Sequence, residues 1–280
     1  MVAVTAISFA AIFFRLAAPT HPVAMAAIRL LLSALLLSPF VFRALRAHPG
    51  SVAPWVWPAC LAGVFYALHF GLWVWSLGLT TIAASVTLVT ATPLLLAVWA
   101  AVTGIDRPDR RLWLALALAA VGVAIIGGLD FGTSPSALAG DAMALGGAAA
   151  MAGYMIVVRR LGVIDVLAFT GVATLVGGVI LALTAGAAGV SLVPASGESL
   201  MYLALAALIP QLVGHSALTY ALRHVAPTIV GIATLGEPVG ATLLGWLLLA
   251  EIPEVGTLVG CGVTVFAVGL AVVQSSRPET

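Results

Sequence analysis

Apolar residues run along this chain in blocks of about twenty, the length a helix needs to cross the roughly 30 Å hydrocarbon core of a bilayer. Such blocks fall near 1–17, 22–42, 54–77, 82–103, 112–129, 139–158, 165–186, 199–221, 227–249 and 255–274. The breaks between them are polar or turn-rich: AAPTHP, FRALRAHPGS, GIDRPDRR, LDFGTSPSALAGD, RRLGVID, VPASGES and AEIPE. The blocks lack the strict alternation of a barrel wall. The pattern therefore predicts an all-α integral membrane protein of ten transmembrane helices. The first block is short, covering about 24 Å at 1.5 Å per residue. Either residues are missing ahead of Met1, or this helix is thin and Arg15 snorkels outward.

Composition agrees with lipid as the solvent. Of the 280 residues, 62% are hydrophobic and 8% charged, against roughly 25% charged in a soluble domain. A net charge of +1 lacks the dense basic face that a nucleic-acid partner requires. Cys60 and Cys261 lie far apart in apolar runs, so they make neither a disulfide framework nor a metal-ligand spacing. No basic leader precedes the first block, and a secretory signal peptide is not expected.

Every basic residue is arginine, and arginine placement sets the orientation. With the N-terminus inside, Arg43, Arg46, Arg107, Arg110, Arg111, Arg159, Arg160, Arg223 and Arg277 face the cytoplasm, Arg15 alone faces out, and Arg29 lies within a span. That bias obeys the positive-inside rule. Both termini are then cytoplasmic, and the outer loops hold Asp130, Asp141, Glu198, Glu251 and Glu254. Trp55, Trp57 and Trp113 near span ends read as interfacial anchors.

A shift of 145 residues superimposes the two halves: Trp75 falls on Tyr220, Pro93 on Pro238, Asp106 on Glu251, Pro108 on Pro253 and Arg15 on Arg160. In each half a mid-span proline is followed 13 residues later by an acid-x-proline. The halves divide the chain at 1–135 and 136–280. Each holds five predicted spans, an odd number, so the second half is inverted relative to the first. Inverted repeats recur in transporters, where two similar halves trade conformations around a fixed central cavity. Pro93 and Pro238 mark helix breaks at matching depths, since proline removes a backbone bond and frees a carbonyl.

The segment EPVGATLLGWLLLAEIPEVGTLVGCGVTVFAVGL resembles the second-half signature of the drug/metabolite transporter superfamily, EamA-type branch. PVAMAAIRLLLSALLL and LTTIAASVTLVTATPLLLAVWAA are similar to its first half. The resemblance implies export of amino acids, other metabolites or toxic compounds, through a cavity walled by spans 1, 3, 4, 6, 8 and 9. Its glutamate-proline pair matches Glu237-Pro238, and its glutamate at the end of span nine matches Glu251. Some aromatic amino acid exporters of the superfamily carry an aromatic-proline pair where this chain has Thr92-Pro93, which argues against that substrate.

Ionisable groups inside a membrane need a reason. Glu237, near the centre of span nine, suits a proton-coupling or substrate-amine site, or else satisfies backbone groups loosened at Pro238. Arg29 in span two could hold a substrate carboxylate bidentately, snorkel, or pair with a helix end or an acid. Gln211 and His215 stand four residues apart on span eight, and Tyr66, His69 and Trp73 share a face of span three. Under the repeat, Tyr66 corresponds to Gln211, so two polar stripes face each other across a cavity or simply join helices. Tyr154 is a candidate cavity wall. Gly236 with Gly240 and Gly256 with Gly260 have the spacing of close helix contacts; against a second copy the last span could form a homodimer.

No GxxxxGK[ST] appears and no lysine exists to complete one, so ATP does not drive the protein directly. No HExxH and no nucleophile elbow suggest an intramembrane enzyme. The expectation is a secondary carrier in a bacterial inner membrane, not an enzyme, needing no cofactor and no metal. Its partners are lipid, a small polar substrate such as an amino acid, and protons as the candidate coupling ion. An intramembrane enzyme and a channel are the alternatives.

Overall fold

The computed structural model describes residues 2–47, 49–76, 79–80, 85, 88–126, 134–162, 164–250 and 252–275. Asp130, Glu251 and Arg277, all assigned a side of the membrane above, lie outside these. Among the described residues the chain is helical, with no strand. The helical runs are α1 (Val2–Leu16), α2 (Pro22–Ala47), α3 (Pro49–Ser76), α4 (Thr92–Thr103), α5 (Arg110–Ile126), α6 (Pro135–Arg159), α7 (Val166–Ala187), α8 (Gly197–Leu222), α9 (Pro227–Leu249) and α10 (Val255–Ser275).

Among the described residues, six helices are long and apolar enough to cross a membrane: α2, α3, α6, α7, α8 and α9. Shorter apolar helices are α1, α4 and Val255–Ala271 of α10. Leu36, Trp246, Leu247, Val265 and Phe266 point outward, exposed. Water would not tolerate apolar side chains spread over the outer faces of so many helices. The protein is therefore membrane-embedded and multi-pass.

Local chemistry explains where the helices start. Ser134 accepts from the Ala137 amide ahead of Pro135, Asp165 accepts from Leu167 and Ala168, and Ser196 accepts from Ser199. Each satisfies donors that a helix start leaves unpaired. The expected break FRALRAHPGS is a correction: α2 continues to Ala47 and α3 begins at Pro49. Ala, Leu and Arg are strong helix formers, and Pro49 suits a first-turn position. LDFGTSPSALAGD likewise ends early, because α6 starts at Pro135 inside it.

Helices pack mostly across the two halves. Prominent contacts are α2 with α7, α5 with α10, α3 with α6 and α1 with α8, while α4 meets α9. A main apolar cluster gathers Phe14, Tyr66, Phe70, Trp73, Tyr154 and Phe169 near the centre. Close approach depends on glycine at two crossings. A Cβ on Gly63 of α3 would stand 2.6 Å from Cβ of Val176 on α7, and one on Gly260 of α10 would stand 2.7 Å from the Gly122 carbonyl of α5. Gly236 and Gly240 face Val4 and Ser8 of α1. These small-residue contacts lie within the chain.

Candidate substrate cavity

Two helices are interrupted where the prolines predict freed carbonyls. Turn residues Thr90 and Ala91 precede α4, and Pro93 sits in its first turn, where a missing N–H leaves no gap in the helix. The carbonyl that Pro93 frees belongs to Val89, four residues back. Thr92 Oγ1 donates to it at 3.2 Å and stands 3.2 Å from the Ala148 carbonyl of α6. In α9 the helix breaks at Leu235 and restarts at Gly236, placing Glu237 and Pro238 in the new first turn. Thr92 and Glu237 thus hold matching places ahead of the two prolines.

Both open onto a central cavity of about 70 Å³. Its lining combines Arg29 from α2, His69 and Trp73 from α3, Thr92 from α4, His215 from α8 and Glu237 from α9. Ile7, Ala10, Met151, Met155 and Leu218 supply apolar wall. The site residues expected from the sequence divide here. Arg29, His69, Trp73, Thr92, His215 and Glu237 line the cavity, whereas Tyr66, Tyr154 and Gln211, fully buried, stand behind the lining.

The layer behind is ordered by aromatic stacking. Tyr66 and Tyr154 lie nearly parallel at 4.2 Å, and Tyr66 and Phe70 each present an edge to His215 at 5.7 Å. Thr219 Oγ1 donates to the His215 carbonyl at 2.7 Å, which uses its one hydrogen. The Tyr154 hydroxyl, 2.6 Å away, therefore donates to Thr219. On α3, His69 Nδ1 lies 2.9 Å from the Gly147 carbonyl. A carbonyl only accepts, so Nδ1 carries the hydrogen and Nε2 of the neutral ring is left as an acceptor. Trp73 stacks on His69 at 6.2 Å and meets Phe14 edge-on at 6.4 Å.

Gln211 and His215 lie on a wide, π-type turn of α8 spanning Ala207–His215, with Pro210 inside it. Such turns recur at functional sites and re-aim the side chains they carry. Ser33 Oγ of α2 lies 3.2 Å from the Ala207 carbonyl in this turn and 2.8 Å from its own helix's Arg29 carbonyl. The turn aims Gln211 at α2, where its Oε1 accepts from Arg29 Nη2 at 2.7 Å. Arg29 is 1% exposed. It neither snorkels to a helix end nor pairs with an acid among the described residues. Sequence reasoning named Arg29 of α2 as a cavity candidate and did not find Phe14, Phe70 or Pro210.

The EamA-like transporter family matches this chain over residues 1–128 and again over 138–273. The chain belongs to the EamA-like transporter family. As a member, it is a transporter of drug/metabolite transporter type. No curated protein matches it. A solved protein crystal structure that is 16% identical superimposes with a TM-score of 0.81, covering 98% of this chain and 96% of that one. At that identity the likeness concerns the fold alone. The EamA-like match encloses the cavity, since Arg29, His69 and Thr92 fall in its first stretch and His215 and Glu237 in its second.

Proposed function

We propose that this transporter is a secondary carrier that exports a small polar metabolite, an amino acid or a close relative, by alternating access across a bacterial inner membrane. In this reading its ten helical runs are ten spans, arranged as inverted five-helix repeats at 1–135 and 136–280, with both termini cytoplasmic. The observation that carries the reading is the cavity. It lies between the two halves, draws polar side chains from both, and offers donors and acceptors on an otherwise apolar wall. The inverted repeat is supported by the packing. Under the 145-residue shift α2–α7, α4–α9 and α5–α10 are self-paired, and α3–α6 maps onto α8–α1. The arginine bias supports the orientation.

Glu237 is the candidate for proton coupling. It lines the cavity at a helix break, and its carboxyl makes no hydrogen bond among the described residues. Counterflow in proteoliposomes, with labelled amino acids and wild type beside Glu237→Gln, tests the reading. Saturable counterflow of one compound class is the expected result. Glu237→Gln is expected to keep exchange and lose pH-driven accumulation. Loss of both in a folded variant would move Glu237 from coupling to substrate binding. Flux that neither saturates nor shows counterflow would instead mark a channel.

A further inference from the structure

Arg29 is a permanent cation in a membrane interior. Among the described residues its one hydrogen bond runs from Nη2 to the neutral amide of Gln211, at 2.7 Å. Nε and Nη1 have no hydrogen-bond partner among the described residues. Its guanidinium carbon stands 4.5 Å from the ring centre of Phe70 and 5.5 Å from that of Phe14. Two aromatic faces and one amide are its direct contacts, and none of them carries a negative charge. Each Nη2 hydrogen belongs to a different guanidinium fork, so whichever one Gln211 takes, the other fork keeps two free N–H groups. Glu237 lines the same cavity and acts on Arg29 through its charge, with no contact close enough to be an ion pair.

We infer that the transported molecule supplies the direct carboxylate contact: Arg29, held by Phe14 and Phe70 and positioned by Gln211, is the binding site for the substrate's carboxylate. The inference rests on the carrier reading and narrows its substrate class. Among the described residues Arg29 is the only arginine in the lining, so the site suits a single negative charge. A phosphate dianion would face Glu237 with no second guanidinium to balance it. On the α3 wall, Nε2 of His69 is an acceptor that suits an ammonium group. The matching ligand is a small zwitterion such as an amino acid, and L-alanine is the simplest chiral probe of that class.

The test uses the full chain in proteoliposomes and labelled L-alanine counterflow, with unlabelled L-alanine, propionate, L-alaninamide and ethylamine as competitors. L-alanine and propionate are expected to compete, and the two amines that lack a carboxylate are not. Arg29→Lys keeps the charge but loses the fork, and Gln211→Glu supplies an internal carboxylate to the guanidinium. Each should raise the half-saturating L-alanine concentration at least tenfold in protein that gel filtration and thermal unfolding show to be folded. Gln211→Glu should not lower thermal stability, so it carries the test where Arg29→Lys fails to fold. If Arg29 merely joined helices, Gln211→Glu would strengthen the joint and leave exchange intact; that result overturns the assignment. Direct exchange of labelled L-alaninamide or ethylamine without exchange of L-alanine or propionate also overturns it, while leaving the carrier reading standing. Folded wild type that exchanges no compound of this panel overturns the assignment, and the wider amino acid counterflow above then decides the carrier reading.

Discussion

A hydroxyl stands directly before a proline at three places in this chain; Ser134 caps a helix start, and Ser38 and Thr92 share a different task. Ser38 Oγ donates to the Leu35 carbonyl at 2.8 Å, and Thr92 Oγ1 donates to the Val89 carbonyl at 3.2 Å. Those are the carbonyls four residues before Pro39 and Pro93, the ones each proline leaves without an amide. In a membrane no water replaces that amide, so the neighbouring side chain must. Thr92→Val keeps the shape and removes the hydroxyl, leaving the Val89 carbonyl short of a donor. Its expected cost is about 0.6–1.7 kcal/mol, read as a lower midpoint of thermal unfolding in detergent, with Thr92→Ser restoring most of it. An unchanged midpoint for Thr92→Val would show that the break is satisfied in another way. Residues of this kind were legible in the sequence because their chemistry is local: a proline names the carbonyl it frees. The same holds for His69 and Trp73, which helical spacing placed on one face. The setting of Arg29 was not legible. Phe14 and Phe70 reach it from α1 and α3 through helix packing, which no spacing along the chain encodes.

Helices in this protein approach one another through small residues, and the consequence differs from one glycine to the next. A Cβ on Gly63 would lie 2.6 Å from Cβ of Val176 and 2.7 Å from the Ala173 carbonyl, so α3 and α7 would have to separate. A Cβ on Gly262 of α10 would meet nothing within 4 Å. Gly63→Ala is therefore expected to destabilise by about 1–3 kcal/mol. Gly262→Ala is expected to be neutral or to stabilise by up to about 1 kcal/mol through helix propensity. Denaturant or thermal unfolding of the two variants side by side checks this, and equal effects would mean that the α3–α7 crossing has slack. At this scale the helices themselves were legible, because apolar block length and capping chemistry set them. Their ends were less so: α2 and α3 nearly meet where a charged stretch suggested a loop, since Ala, Leu and Arg favour helix regardless of charge. The wide turn in α8 was invisible, because it depends on how Pro210 and the contact with α2 share out backbone bonds.

At the scale of the whole molecule, polar bridges tie the two halves together at both ends. At the arginine-rich end Asp106, in the α4–α5 turn with a left-handed φ of 52°, accepts from Nε and Nη2 of Arg159 at 3.2 and 3.3 Å. At the opposite end Thr80 donates to Asp141 at 2.6 Å, and the Ala195 amide donates to Thr20 at 3.0 Å. Alternating access requires the bridges at one end to break while those at the other hold. The side chains of Asp106 and Arg159 are 25% and 28% exposed, so their pair contributes at most about 1 kcal/mol. That is too weak to lock the molecule and enough to shift an equilibrium about fivefold. Arg159→Gln should therefore favour opening at the arginine-rich end. In a background lacking Cys60 and Cys261, a Met155→Cys reporter on the cavity wall should react two- to fivefold faster with a polar maleimide applied from that side. The exchanged pair Asp106→Arg with Arg159→Asp should bring the rate back, because it restores the attraction with the charges reversed. High salt should shrink the difference between wild type and Arg159→Gln, since a partly exposed pair is screened. A reporter rate indifferent to Arg159→Gln would place the barrier deeper, in the Tyr66–Tyr154–Thr219 layer, where Tyr154→Phe removes the hydroxyl that joins α6 to α8. The same reporter would then accelerate in Tyr154→Phe and not in Arg159→Gln, and that contrast decides which of the two contacts closes this end.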